Sequence, residues 1–168
     1  WGSSMIACND ADAMVTGNIR HYAASIEKLK KVVAPRPGEE IFGMTMMVSK
    51  GKTILVADTN VQDFPSAERL VNVSISCVRV ARLFGFDPKV AFLSHSTFGK
   101  PVSKNTKHVR DAIDLLKTKN VDFDFDGELQ PDAALNPIYQ EIYPFSKIVG
   151  KANILMMPAL HSAAISTK

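Results

Sequence analysis

The sequence contains only two cysteines, Cys8 and Cys77, far apart and each inside an apolar stretch. Buried free thiols account for both, so nothing calls for an oxidising compartment. No apolar run approaches the roughly 18 residues that a membrane-spanning helix requires. The opening Trp1-Gly2-Ser3-Ser4 has neither an initiator methionine nor the pattern of a secretory leader. Gly-x-Gly-x-x-Gly, the Walker loop and any Cys/His spacing for zinc are missing, which leaves those modes of nucleotide and metal binding unsupported. The Gly-x-Ser-x-Gly elbow of serine hydrolases is also missing. Charge of one sign is scarce. The net +3, from 20 basic and 17 acidic residues spread along the chain, is too weak for a nucleic-acid groove. It suits an anionic small ligand equally well. The expectation is a cytoplasmic protein with no nucleic-acid or membrane partner.

What is present is a strand–loop–helix rhythm. Residues 5–16 are small and apolar around Asp10 and Asp12, as in a strand and tight turn. Tyr22, Ile26, Leu29 and Val33 then recur at helical spacing, and Pro35-Arg36-Pro37-Gly38 ends that helix. Runs 42–49 and 53–58 flank Lys50-Gly51-Lys52, a connection short enough only for a hairpin. Ser66 reads as the N-cap of a helix whose stripe is Leu70, Val73, Cys77, Val80 and Phe84, with Gly85 as C-terminal cap. Val90-Ala91-Phe92-Leu93 is a short buried strand, and a helix carries Val109, Ile113 and Leu116. Alternating residues 121–125 lead to a turn at Asp126-Gly127, and one helix is expected from Pro131 to before Pro144. Residues 153–158 form a last apolar strand. Continuous apolar strands alternating with amphipathic helices indicate a mostly parallel sheet covered on both faces, a three-layer αβα arrangement.

In such sheets, ligands collect at the carboxyl ends of strands. The polar, small-residue loops there are Thr16-Gly17-Asn18, Asp58-Thr59-Asn60, residues 94–99, Asp126-Gly127-Glu128 and residues 158–162. Each serves equally as ordinary turn and capping chemistry. Ser94 and His95 point to opposite faces if the strand continues, which argues against a serine–histidine pair. Asp122, Asp124, Asp126, Glu128 and Asp132 lack the ligand pattern of a calcium loop and read as solvated charge at a strand edge. Met44, Met46 and Met47 read as core packing rather than as a contact surface.

Five ordered motifs narrow the reading. They are residues 10–17 (DADAMVTG), Ala57-Asp58-Thr59-Asn60-Val61, residues 90–99 (VAFLSHSTFG), residues 126–135 (DGELQPDAAL) and residues 152–158 (ANILMMP). Together they resemble the phosphate acetyl/butyryltransferase (phosphotransacetylase-type) family, over almost the whole chain. Tyr143-Pro144-Phe145 and residues 160–168 resemble the version found at the C-terminal end of bacterial NADP-dependent malic enzymes.

The resemblance implies an isocitrate/isopropylmalate-dehydrogenase-like α/β fold. Residues 1–35 would end the first lobe, 36–158 would form the second, and 159–168 would begin a helix returning to the first. The chain would then be a piece of a longer protein. NADP and a divalent metal would belong only to an upstream malic half, with no metal and no resident cofactor here. The resemblance further implies an acyl-CoA, acetyl-CoA for example, or phosphate as ligand, and a homo-oligomer. Cleft-lining residues would be Thr16, Gly17, Asp58, Thr59, Ser94, Ser96, Thr97, Asp126, Gly127, Asn153 and Pro158; no catalytic residue is assigned. The family's anion-binding arginine aligns with Glu27, a carboxylate that would repel phosphate. That departure favours a regulatory acyl-CoA module over a working phosphate acetyltransferase, the alternative.

Overall fold

The computed structural model describes residues 1–168 apart from Asn18, Asn60 and Val102. The chain divides into two compact units, Trp1–Glu40 and Ile41–Lys168.

The first unit holds two helices, α1 (Gly2–Ala7) and α2 (Tyr22–Lys30). The strand expected after residue 5 is instead helix and turn. Met5 N–H donates to Trp1 O at 3.0 Å and Cys8 N–H to Ser4 O at 2.9 Å. A strand needs a neighbour to take its backbone bonds, and this unit has none among the described residues. Cys8 is consequently exposed rather than buried. The apolar stripe of α2 is only half-buried at Ile26 and Leu29, and Tyr22 is exposed.

The second unit opens with β1 (Met44–Ser49) and β2 (Lys52–Ala57), antiparallel in the register Met44↔Ala57 to Ser49↔Lys52. The turn is two residues rather than three. Lys50 and Gly51 both take positive φ, 50° and 73°, as a hairpin turn matching strand twist requires. β1 is an edge strand, and its Met46 and Met47 are exposed instead of packed in the core.

Helix α3 (Ala67–Leu83) begins where the Ser66 side chain accepts from Arg69 N–H at 3.2 Å. It ends in a Schellman turn, with Phe86 N–H on Ala81 O and Gly85 N–H on Arg82 O, and Gly85 at φ 79° supplies the left-handed residue. Its buried face is Leu70, Val73, Ser74, Cys77 and Ala81, so the stripe turns onto Ala81; Val80 is half-buried and Phe84 exposed. β3 (Lys89–Leu93), α4 (Lys107–Thr118), β4 (Asp124–Leu129), β5 (Ile154–Met156) and α7 (Leu160–Ser166) follow the expected rhythm. The helix expected after Pro131 is two short ones, α5 (Pro131–Leu135) and α6 (Tyr139–Ile142). Pro137 explains the break: it has no N–H to donate and holds Asn136 extended, at φ −112° and ψ 116°.

The sheet order is β1-β2-β5-β3-β4, parallel except for β1. Successive strand residues alternate between two cores. Leu55, Val90, Phe92, Ile154 and Met156 pack with α3 and α4, while Val56, Ala91, Leu93 and Leu155 pack with Ala134 of α5 and Ala163 of α7. These are the three layers. In β4 the alternation slips. Phe125 and Leu129 are four apart yet belong to opposite cores, because the register jumps between Phe92↔Gly127 and Leu93↔Leu129. Glu128 is the extra, bulged residue. Among the described residues, no helix is long and apolar enough to cross a membrane.

Candidate functional site

Parallel strands β2, β3 and β5 end side by side, and the chain leaving β3 and β5 borders a cavity of about 350 Å³ in the second unit. Its floor is apolar, from Phe64, Leu93, Met157 and Pro158. Its polar lining comes from Ser94, His95, Asn105, Thr106, His108, Ser162 and Ser166. Among the described residues, no Asp, Glu, Lys or Arg lines it. The first turn of α4 forms one wall. There the His108 ring packs against Phe64 with centroids 4.5 Å apart, and His108 Nε2 lies 2.9 Å from Pro158 O. A carbonyl only accepts, so Nε2 carries the proton and the imidazole ties α4 to the loop after β5.

Of the expected site residues, Ser94 and Pro158 line this cavity. Ser96 and Thr97 are buried and do not line it. The Ser94 and Ser96 hydroxyls are hydrogen-bonded to each other at 3.0 Å, and Thr97 Oγ1 accepts from Gln130 N–H at 3.2 Å. No described histidine or carboxylate bonds to either serine hydroxyl, so no general base stands in contact with them. Cys77 is no substitute: burial, then the nearby Asp58 charge, pushes its thiol well above the ordinary range.

The remaining candidates serve the frame. Asp58 is buried at the end of β2, where Oδ1 accepts from Gly43 N–H at 2.7 Å and Oδ2 meets Arg69 Nη2 at 3.2 Å. Thr59 N–H donates to Gly43 O at 3.1 Å. Asp126 and Gly127 lie inside β4, not in a turn beyond it. Asp126 accepts from the backbone N–H groups of Gly127 and Lys147. A Cβ at Gly127 would sit 2.8 Å from Phe92 O, so glycine is there for close approach of β4 to β3. Asn153 lies at the opposite, amino end of the strands. Its side chain accepts from Lys89 N–H at 2.8 Å and donates to Asp87 O at 2.6 Å, fastening β5 to the entry of β3. The acidic residues are not uniformly solvated: Glu128 is 1% exposed.

Thr16 and Gly17 line a separate cavity of about 410 Å³ within the first unit, with Arg20 and Lys28 on its wall. Glu27 does not line it; this side chain is 70% exposed and paired with Lys31 at 2.9 Å. The two charged side chains that line this cavity, Arg20 and Lys28, are both cations. Asn18 and Asn60, expected in the same loops, lie outside the described residues.

Comparison with known proteins decides the family. The profile described as "Phosphate acetyl/butaryl transferase" matches residues 1–168. The chain belongs to this family. It is 43% identical over 168 residues to an NADP-dependent malic enzyme of Rhizobium meliloti (strain 1021), covering all of this chain and 22% of that protein. It is 31% identical over 164 residues to a phosphate acetyltransferase of Nitratidesulfovibrio vulgaris, covering 96% of this chain and 23% of that one. A crystal structure of a phosphotransacetylase from Streptococcus pyogenes superposes with a TM-score of 0.88 at 31% identity, over 98% of this chain and 51% of that chain. The transferase-like chain thus spans about a fifth of the curated relatives' length and about half of the solved phosphotransacetylase.

Three lining residues, Asn105, Thr106 and His108, escape sequence reasoning because the α4 region reads there only through its apolar stripe. The available signal is positional: they sit where a helix begins after a parallel strand, on the ligand side of such folds.

Proposed function

We propose that this phosphate acetyl/butaryl transferase domain is the C-terminal module of an NADP-dependent malic enzyme and binds an acyl-CoA, acetyl-CoA above all, without turning it over. The observation that carries this is the character of the second unit's cavity: an apolar floor, and hydrogen-bonding groups with no Asp, Glu, Lys or Arg among the described residues. That lining favours a thioester and its pantetheine arm over a bare phosphate, which demands cationic partners. In this reading, NADP, a divalent metal and the oxidative decarboxylation of malate to pyruvate belong to the rest of the parent. The module, as part of a homo-oligomer, reports acetyl-CoA to that active site. Pyruvate is the precursor of acetyl-CoA, so the link closes a metabolic loop. It is allosteric only if the ligand binds two states of the parent unequally.

A second reading, an active phosphate acetyltransferase making acetyl phosphate and CoA from acetyl-CoA and phosphate, is favoured by Arg20 and Lys28 on the first unit's cavity. Calorimetric titration of the full-length protein with acetyl-CoA, alongside malate-dependent NADP reduction, separates the two. Saturable binding that alters malate oxidation and yields no acetyl phosphate is the expected result. Acetyl phosphate formation without any effect on malate oxidation establishes the transferase. Absence of binding removes both and leaves assembly as the role.

A further inference from the structure

The bulge in β4 creates a group that the site chemistry does not use. Glu128 is the extra residue, and its side chain is 0% exposed. Its Oε2 is buried and has no hydrogen-bond partner among the described residues, so the carboxylate rests on one neighbour. That neighbour is Arg110 of α4, whose Nη1 lies 3.0 Å from Glu128 Oε1. A buried carboxylate held at one oxygen fixes its cation firmly, because moving the cation away would strand the charge.

Arg110 does not stop at Glu128. Nη1 also donates to Thr106 Oγ1 at 2.8 Å, and Nη2 donates to Ser103 O at 2.8 Å. Thr106 lines the cavity, between Asn105 and His108. The other end of the same connection is tied to the same strand tail. Phe98 N–H donates to Glu128 O at 2.7 Å, Ser94 N–H to Leu129 O at 2.9 Å, and Gln130 Nε2 to His95 O at 3.0 Å. The last residues of β4 and the residue after it thus set the position of both ends of the segment that walls the cavity. The bulge frees the carbonyl that Phe98 takes, and Gly127 lets β4 come close enough to place it.

We propose that Arg110, locked by Glu128, is a positioning residue that holds residues 103–106 as a pre-formed wall for an acyl-CoA; the assignment rests on the reading of the cavity given above. Its contribution is pre-organisation: a wall already ordered costs the ligand no ordering entropy on binding. Lysine at 110 keeps a cation for Glu128 but has no fork to reach Ser103 and Thr106 together. Thr106→Val removes the hydroxyl that Arg110 holds while preserving shape.

The test uses full-length protein carrying Arg110→Lys or Thr106→Val, with acetyl-CoA affinity by calorimetry, amide hydrogen exchange at residues 103–106, and thermal midpoints. The expected result is faster exchange confined to that segment and affinity weaker by roughly tenfold for Arg110→Lys, with midpoints within about 2 °C of the parent. Wild-type affinity together with wild-type exchange in both variants overturns the proposal while leaving the cavity's reading intact. If the parent itself binds no acetyl-CoA, that reading falls and exchange alone decides: unchanged rates overturn the positioning role, and local acceleration upholds it as a loop clamp.

Discussion

Two buried ion pairs sit one helix apart and do different work. Asp58–Arg69 joins the end of β2 to α3, with side chains 6% and 12% exposed. Other bonds of the pair run to Gly43 N–H and Ile41 O, among others, on the chain entering β1. Glu128–Arg110 joins the bulge of β4 to α4, and its remaining bonds run to residues 103 and 106 on the cavity wall. The first pair closes the hairpin edge of the sheet. The second reaches the site through a guanidinium still 31% exposed. Similar chemistry thus gives stability in one place and loop geometry in the other, according to which backbone the spare donors meet.

Substitutions test that contrast. Arg69→Met leaves Asp58 buried without its cation and is expected to cost about 4 kcal/mol of unfolding free energy, read by urea denaturation. Gly127→Ala drives a Cβ against Phe92 O, a backbone atom that cannot swing aside, and is expected to cost about 3 kcal/mol. This loss removes the geometry on which the Glu128 pair depends and leaves the Asp58 pair in place. Arg110→Met strands Glu128 as well, yet water can approach from the exposed side of the guanidinium. Its expected cost is about 3 kcal/mol, smaller than that of Arg69→Met in the same assay. Equal costs for the two arginines would erase the distinction.

Two smaller effects calibrate the scale. Asn153→Ala removes uncharged bonds to residues 87 and 89 and is expected to cost about 1.5 kcal/mol in urea denaturation. At the surface, the hydrogen bond from the Tyr139 hydroxyl holds the Asp132 carboxyl below the ordinary carboxylate range, and the same bond raises the Tyr139 phenol. A depressed carboxyl stabilises the fold above its ordinary pKa, and that contribution fades as pH falls through the depressed value. Tyr139→Phe is therefore expected to move Asp132 upward in an NMR titration and to flatten the acid side of the stability profile slightly. An unmoved Asp132 would show that this exposed pair contributes nothing.

Much of the fold was legible because its signals are local. The Ser66 cap, the Gly85 turn, the hairpin and the alternation of apolar strands with striped helices each depend on a few neighbouring residues. The same holds for the motifs that carry the family resemblance, since they mark strand ends and turns. The loops at the carboxyl ends of β3 and β5 were legible as site candidates for that reason, and Ser94 and Pro158 do line the cavity.

The order and type of most elements, the mixed parallel sheet and the family follow from the amino-acid pattern alone. Periodicity records which face of each segment avoids water, and caps record where each segment stops. Which partner each polar group meets depends on how the segments pack. Glu128 reads as one more surface acid until a single-residue bulge turns it inward onto Arg110. Asn153 reads as a cleft-lining residue on the last strand until strand pairing sets it at the amino end of the sheet. Gly127 reads as a turn until β3 presses against it. The physical reason is common to all three: register and cross-strand approach are set between segments distant in sequence, and no pattern within one segment encodes them.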